Sequence, residues 1–159
     1  MPEVQLERIP ADEEEFRKAA GPLGASPEGA AALLITGLAV MAANPEAGRK
    51  CVSAADPSLP GSRMRFVEER LRGKEYLPAS YFSGTGPENG YALPRPPLVI
   101  RFSTNPHSGD PEGGRLKLFV ECSGADSPRP VTVARDSVGR WTAVEWSSLL
   151  TGIRPPAHS

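Results

Sequence analysis

The chain has little of what most metal sites and catalytic centres are made from. Its 159 residues include two cysteines, Cys51 and Cys122, and two histidines, His107 and His158. There is no CxxC pair and no second histidine near the first, so the spacing of a zinc site is missing. Neither sign of charge is in surplus, with 18 Lys and Arg against 19 Asp and Glu. The basic residues are scattered, which argues against a nucleic-acid surface. Long apolar runs are missing too. The most apolar stretch, AAALLITGLAVMAA at 30–43, is too short to cross about 30 Å of hydrocarbon. The N-terminal MPEVQLERIP lacks the basic segment and apolar run of a signal peptide. These absences lead to the expectation of a cytoplasmic protein, not bound to membranes, with two reduced thiols and no cofactor.

What is plentiful is turn chemistry, with 18 prolines and 16 glycines. Hydrophobic residues at 39% and charged residues at 23% fit one globular domain over 1–159. Residues 1–75 read as mainly helical and 76–159 as mainly β.

In the first half, Asp12 has a helix-capping side chain, and Glu15 follows three residues later. The acidic run Asp12–Glu15 then sits at the positive end of a helix dipole, a plainer reading than a catalytic carboxylate cluster. Ser26-Pro27-Glu28 is a strong helix start. The helix it opens, 28–43, is apolar on nearly every side and therefore buried all round or mated to something. Asn44-Pro45 ends it and starts PEAGRKCVSAA. A third helix runs from Ser62 to about Arg72, with Met64, Val67 and Leu71 at helical spacing and Gly73 placed to stop it.

The second half alternates with period two. PLVIRFS (97–103), RLKLFVEC (115–122), RPVTVAR (129–135) and GRWTAVEW (139–146) read as half-buried strands. DSVG at 136–139 is a hairpin connection for the last two. The fold class is α+β, with N-terminal helices packed on a C-terminal antiparallel β-meander of about four strands.

Several motifs invite chemistry and lose it on inspection. SGTG at 83–86 lacks the helix, lysine and hydroxyl of a phosphate loop, and prolines follow it. His107, Ser108 and Asp110 are neighbours on one loop, whereas hydrolase triads converge from separate parts of a fold. His107, Asp110 and Glu112 make a thin metal set. His158, the penultimate residue, is expected to be disordered. No catalytic or metal-ligating residue is assigned.

Binding candidates are better supplied. YFSGTGPENGYALPRPP (81–97) reads first as a rigid connector whose turn at Pro87–Tyr91 folds Tyr81, Phe82 and Tyr91 onto the core. Its rival reading is an aromatic groove, with Asn89 and the tyrosine hydroxyls giving specificity. GADSPRPV (124–131) is a strand entry in which Arg129 pairs with Asp126, or else an anion-recognition site built on Arg129. Trp141 and Trp146 are five apart, so a continuous strand would point them to opposite faces.

Three long segments carry a resemblance: LPASYFSGTGPENGYALPRPP, GRLKLFVECSGADSPRPVTV and the closing WSSLLTGIRPP. The chain resembles a family of uncharacterised bacterial proteins, a domain of unknown function, with SYFxGxxPENxY, GADSPRPV and WSSLLxGIRPP motifs. PEGAAALL and NPEAG resemble it as well, so the likeness covers nearly the whole chain. It implies a bacterial, stand-alone, cytoplasmic protein and supplies no activity, cofactor or catalytic residue.

The leading functional expectation is a non-catalytic protein that binds another protein, through Tyr81, Phe82, Asn89, Tyr91, Asp126 and Arg129. A ligand-binding protein or enzyme with a pocket between helices and sheet is the second. The third is a structural subunit self-associating through helix 28–43.

Overall fold

The computed structural model describes residues 2–157; His158 lies outside the described residues. Five helices and five strands alternate with turns: β1 (Glu3–Leu6), α1 (Glu13–Leu23), α2 (Pro27–Ala43), α3 (Pro45–Ala55), α4 (Gly61–Leu71), α5 (Tyr76–Ala79), β2 (Leu98–Ser103), β3 (Arg115–Val120), β4 (Arg129–Arg135) and β5 (Trp141–Glu145). No helix is long and apolar enough to cross a membrane among the described residues.

The caps work as their residue types dictate. Asp12 Oδ1 accepts from Glu15 N at 2.9 Å, Ser26 Oγ from Gly29 N at 3.0 Å and Asn44 Oδ1 from Ala47 N at 3.3 Å. Each satisfies an amide that the helix itself leaves open. Glu15 reaches back to Ala11 N at 2.8 Å rather than to the cap residue. Gly73, at φ +69°, follows α4 in the left-handed conformation.

α2 is the axis of the molecule. Its residues from Gly29 to Leu38 are all buried. It touches α1, α3, α4 and α5 on one side and β1, β3, β4 and β5 on the other. The closest neighbour is α3, where a Cβ on Gly48 would sit 2.0 Å from Met41 Cα. Only glycine lets the two backbones approach that far.

The sheet is antiparallel throughout, in the order β1-β2-β3-β4-β5. Four of these strands match the expected meander. The fifth, β1, is an addition. It lies in MPEVQLERIP, where two apolar residues, Val4 and Leu6, are too few to show an alternation. One sheet face, carrying Ile100, Phe102, Leu118, Val131 and Val133, packs on the helices. The other carries Arg101, Lys117, Phe119 and Thr132 at or near solvent.

Both tryptophans are buried. β5 stops at Glu145, so Trp146 leaves the strand and turns inward through the 3-10 turn Ser147–Leu150. Its Nε1–H donates to Asp56 Oδ2 at 2.8 Å, and Ser58 N and Oγ donate to Oδ1 of the same buried carboxylate.

Candidate functional site

The 80–97 loop is built on its aromatics. Tyr81 and Phe82 follow α5 and are 1% exposed. The Tyr81 hydroxyl donates to Leu149 O, and burial pushes its phenol far above the usual range. Tyr91 sits at φ +59°, a strained setting for a residue with a side chain. Its ring stacks on Tyr76 at 5.6 Å and its hydroxyl donates to Arg154 O. Burial raises that phenol as well.

Asn89 is a turn residue. Its Oδ1 accepts from Gly86 N at 3.1 Å and its Nδ2 donates to Gly84 O at 3.2 Å. Pro87–Asn89 forms a single 3-10 turn and Gly90 closes it at φ +67°. The proline-rich stretch thus does support one helical turn, though nothing longer.

Arg129 and Asp126 do not pair. Arg129 Nη2 donates to Thr151 O and Gly152 O, each at 3.1 Å. Its Nε is buried and has no partner among the described residues. Asp126 instead meets Arg154 at 2.8 Å on the surface. The reason is the path of the closing segment. Arg154 N donates to Gly124 O and Ala157 N to Pro87 O, so GIRPP lies across both earlier loops. That places Arg154 beside Asp126 and the Thr151–Gly152 carbonyls beside Arg129.

The six sequence-derived residues therefore join one interlocked set of loops without facing a common cavity. Tyr81, Phe82 and Asp126 border an open cleft of about 320 Å3 between Ser80–Gly84 and Glu121–Pro128. Asn89, Tyr91 and Arg129 do not line it. The cleft exists because β2 and β3 splay apart. Beyond Arg101 O, which accepts from Glu121 N, the 80–83 segment fills the wedge. Ser83 N donates to Val99 O, and Ser123 N to Ser80 O.

The chemistry of that cleft is undramatic. Ser80 Oγ donates to Leu77 O at 2.7 Å and Ser123 Oγ to Ser80 O at 3.1 Å. Cys122 Sγ lies 3.4 Å from Ser80 Oγ. These hydroxyls are engaged in holding loops, and among the described residues no histidine lines the cleft to activate a nucleophile. The His107 loop is elsewhere. Ser108 Oγ accepts from Asn105 N and Asp110 Oδ1 from Glu112 N, both as turn-closing bonds. Among the described residues, no three His, Cys, Asp or Glu side chains cluster as a metal site. Cys51 and Cys122 are free.

One surface feature escaped the sequence reading. Phe66 on α4 is 62% exposed. On the helix surface around it, Arg63 and Arg65 are exposed and make no ion pair among the described residues, exposed Glu69 follows one turn on, and Glu68 is taken by Arg49 at 2.7 Å. The signal was available. Met64, Val67 and Leu71 define the inner stripe of this helix, and Phe66 falls off it.

No curated protein and no solved structure matches the chain. Residues 8–157 match a family described as Domain of unknown function (DUF6935), in agreement with the resemblance carried by the three long segments. That match spans α1 through the closing turn, so the chain belongs to the DUF6935 family, a domain of unknown function.

Proposed function

We propose that this protein works without catalysis, by binding another protein, and that the contact is the outer face of α4 centred on Phe66. The carrying observation is Phe66 itself, a large aromatic side chain 62% exposed on an ordered helix. Exposed single apolar residues are ordinary. An aromatic beside two exposed arginines, Arg63 and Arg65, that make no ion pair among the described residues is less so, because aromatic and Arg side chains supply most interface hot spots. A partner of matching chemistry presents an apolar pocket bordered by carboxylates. Residence in a bacterial cytoplasm belongs to the same reading and is supported by two thiols left free.

The 81–97 loop supports this reading less well as the contact, since its aromatics face inward. A small-ligand reading, where retained, moves to the open cleft at Ser80–Gly84 and Glu121–Pro128, away from the helix–sheet interface. Helix 28–43 has no exposed apolar stripe for self-association, being covered within its own chain.

The test places a photo-crosslinking phenylalanine analogue at position 66 in the native host. The captured protein is then purified and titrated against wild type, Phe66→Ala and Arg65→Glu. The expected result is at least tenfold weaker binding for both variants at unchanged melting temperature. Equal affinity for all three forms would end this assignment.

A further inference from the structure

Basic residues are scattered along the sequence, and the fold gathers four of them. Arg17 from α1, Arg49 and Lys50 from α3 and Arg140 from the turn before β5 line one open cleft of about 880 Å3. Ala54 and Met64 add apolar surface to it. Glu13 is the only carboxylate in its lining among the described residues. Glu13 Oε2 accepts from Arg17 at 2.8 Å, and its Oε1 lies 4.0 Å from Lys50 Nζ. Glu68 meets Arg49 at 2.7 Å from outside the lining. Other acids nearby are turned elsewhere. Asp136 Oδ1 accepts from Val138 N and Arg140 N and closes the hairpin. Asp56 accepts from Trp146 and Ser58. Glu46, one turn before Lys50, does not line the cleft. Arg17 and Arg49 thus take the two carboxylates, and Lys50 and Arg140 are left without one of their own.

Arg140 carries the argument beyond charge. It is half-buried. Its Nη2 donates to Ala20 O at 2.6 Å and fills the space beside Gly24, where a Cβ would come within 2.4 Å of it. That bond and that packing set the guanidinium in place. Its other side-chain donors have no protein partner among the described residues, and no carboxylate lies within ion-pair reach of it. A cation taken partly out of water loses solvation that a paired carboxylate ordinarily offsets. One fixed at a cleft wall with donors free is set to receive an oxyanion in its planar fork.

We propose that the cleft between α1, α3 and the β4–β5 hairpin binds a small organic phosphate monoester. Arg140 and Lys50 hold the phosphate, and the apolar surface at Ala54 and Met64 takes the organic part. A monoester carries about two negative charges at neutral pH, one for each of these cations. The cleft is of the size that small ligands occupy, about 300–1,000 Å3. Surface cations also serve simply to keep a protein soluble. That role needs no guanidinium fixed against Ala20 and Gly24. The site is separate from the Phe66 face and from the cleft at Ser80–Gly84 and Glu121–Pro128, and stands or falls without either.

The probes are phenyl phosphate and phenyl sulfate, titrated into the full isotope-labelled chain and followed by amide chemical shifts. The sulfate ester has the same ring and a lower charge. Expected is saturable binding of phenyl phosphate that moves the amides of Gly21, Ser53 and Arg140, at least tenfold tighter than that of phenyl sulfate. Lys50→Gln and Arg140→Gln should each weaken it at least fivefold. Lys50 is exposed, so its replacement decides the matter if Arg140→Gln does not fold. Arg95→Gln, which removes a cation outside the cleft, should leave the affinity unchanged. Four results overturn the proposal: no saturable shifts with phenyl phosphate, equal affinity for the two esters, undiminished binding by Lys50→Gln, or an equal loss on Arg95→Gln. The last would mean diffuse attraction rather than a site.

Discussion

The 80–97 loop and helix α4 use aromatic side chains in opposite senses. The loop is irregular and rich in proline and glycine, yet Tyr81, Phe82 and Tyr91 all point inward and are 1–3% exposed. α4 is regular and ordinary in composition, yet its one aromatic points outward. Irregular backbone needs anchors, because it lacks a repeating ladder to satisfy and position it. A helix is already satisfied internally and leaves its outer face free for other use. Aromatic content in a loop is therefore weak evidence of a binding site, and an outward aromatic on a settled helix is stronger evidence.

Truncations test this contrast most directly. Phe82→Ala should destabilise the protein by about 3–5 kcal/mol, the usual cost of emptying a buried ring site. For a chain of this size that lowers the melting temperature by roughly 10 °C or more. A melt within a degree or two of wild type would mean that the loop is not anchored by its aromatics.

Trp146→Phe keeps an aromatic side chain but removes the five-membered ring whose N–H donates to Asp56. A buried carboxylate oxygen then loses its partner, with an expected loss of about 1–3 kcal/mol. Urea denaturation measures it. An unchanged midpoint would show that Ser58 suffices for Asp56.

Cys51 adds a pH dependence. Burial, with the nearby Glu13 carboxylate second, pushes its thiol up to about 11 from the usual 9.0. The native state thus holds the proton more tightly than the unfolded chain. The stabilisation is present in full below pH 9 and is lost as pH rises toward 11. Denaturation midpoints followed from pH 8 upward should fall, and Cys51→Ala should flatten part of that slope. At pH 8 a thiolate-directed reagent should modify half-buried Cys122 well before Cys51. Equal rates would contradict the burial of Cys51.

The smallest effect belongs to Phe66→Ala. A side chain outside the core should change stability by no more than about 0.5 kcal/mol. A loss as large as that of Phe82→Ala would show Phe66 to be packed and would remove the ground for the α4 interface.

Much of this was legible from residues alone. Asp12, Ser26 and Asn44 mark three helix starts because capping is a contact over three residues. The period-two runs at 97–103, 115–122, 129–135 and 139–146 mark four strands because alternation is local as well. β1 was not legible, since four residues with two apolar members carry no periodic signal. The partners of Asp126 and Arg129 were missed for a different reason. Both side chains reach the Thr151–Arg154 segment, more than twenty positions away, and proximity in sequence suggested the wrong pair.

By itself, the sequence determined the elements: where helices begin and end, which helix must be buried on every side, and which turns need glycine or proline. Short-range sterics and hydrogen bonding decide these within a few residues. The tertiary structure alone decided which aromatics anchor and which remain free, that the closing segment crosses two loops, and that a splayed sheet opens a cleft. Each depends on contacts between residues far apart in the chain, and no local pattern encodes which distant surface a side chain will meet.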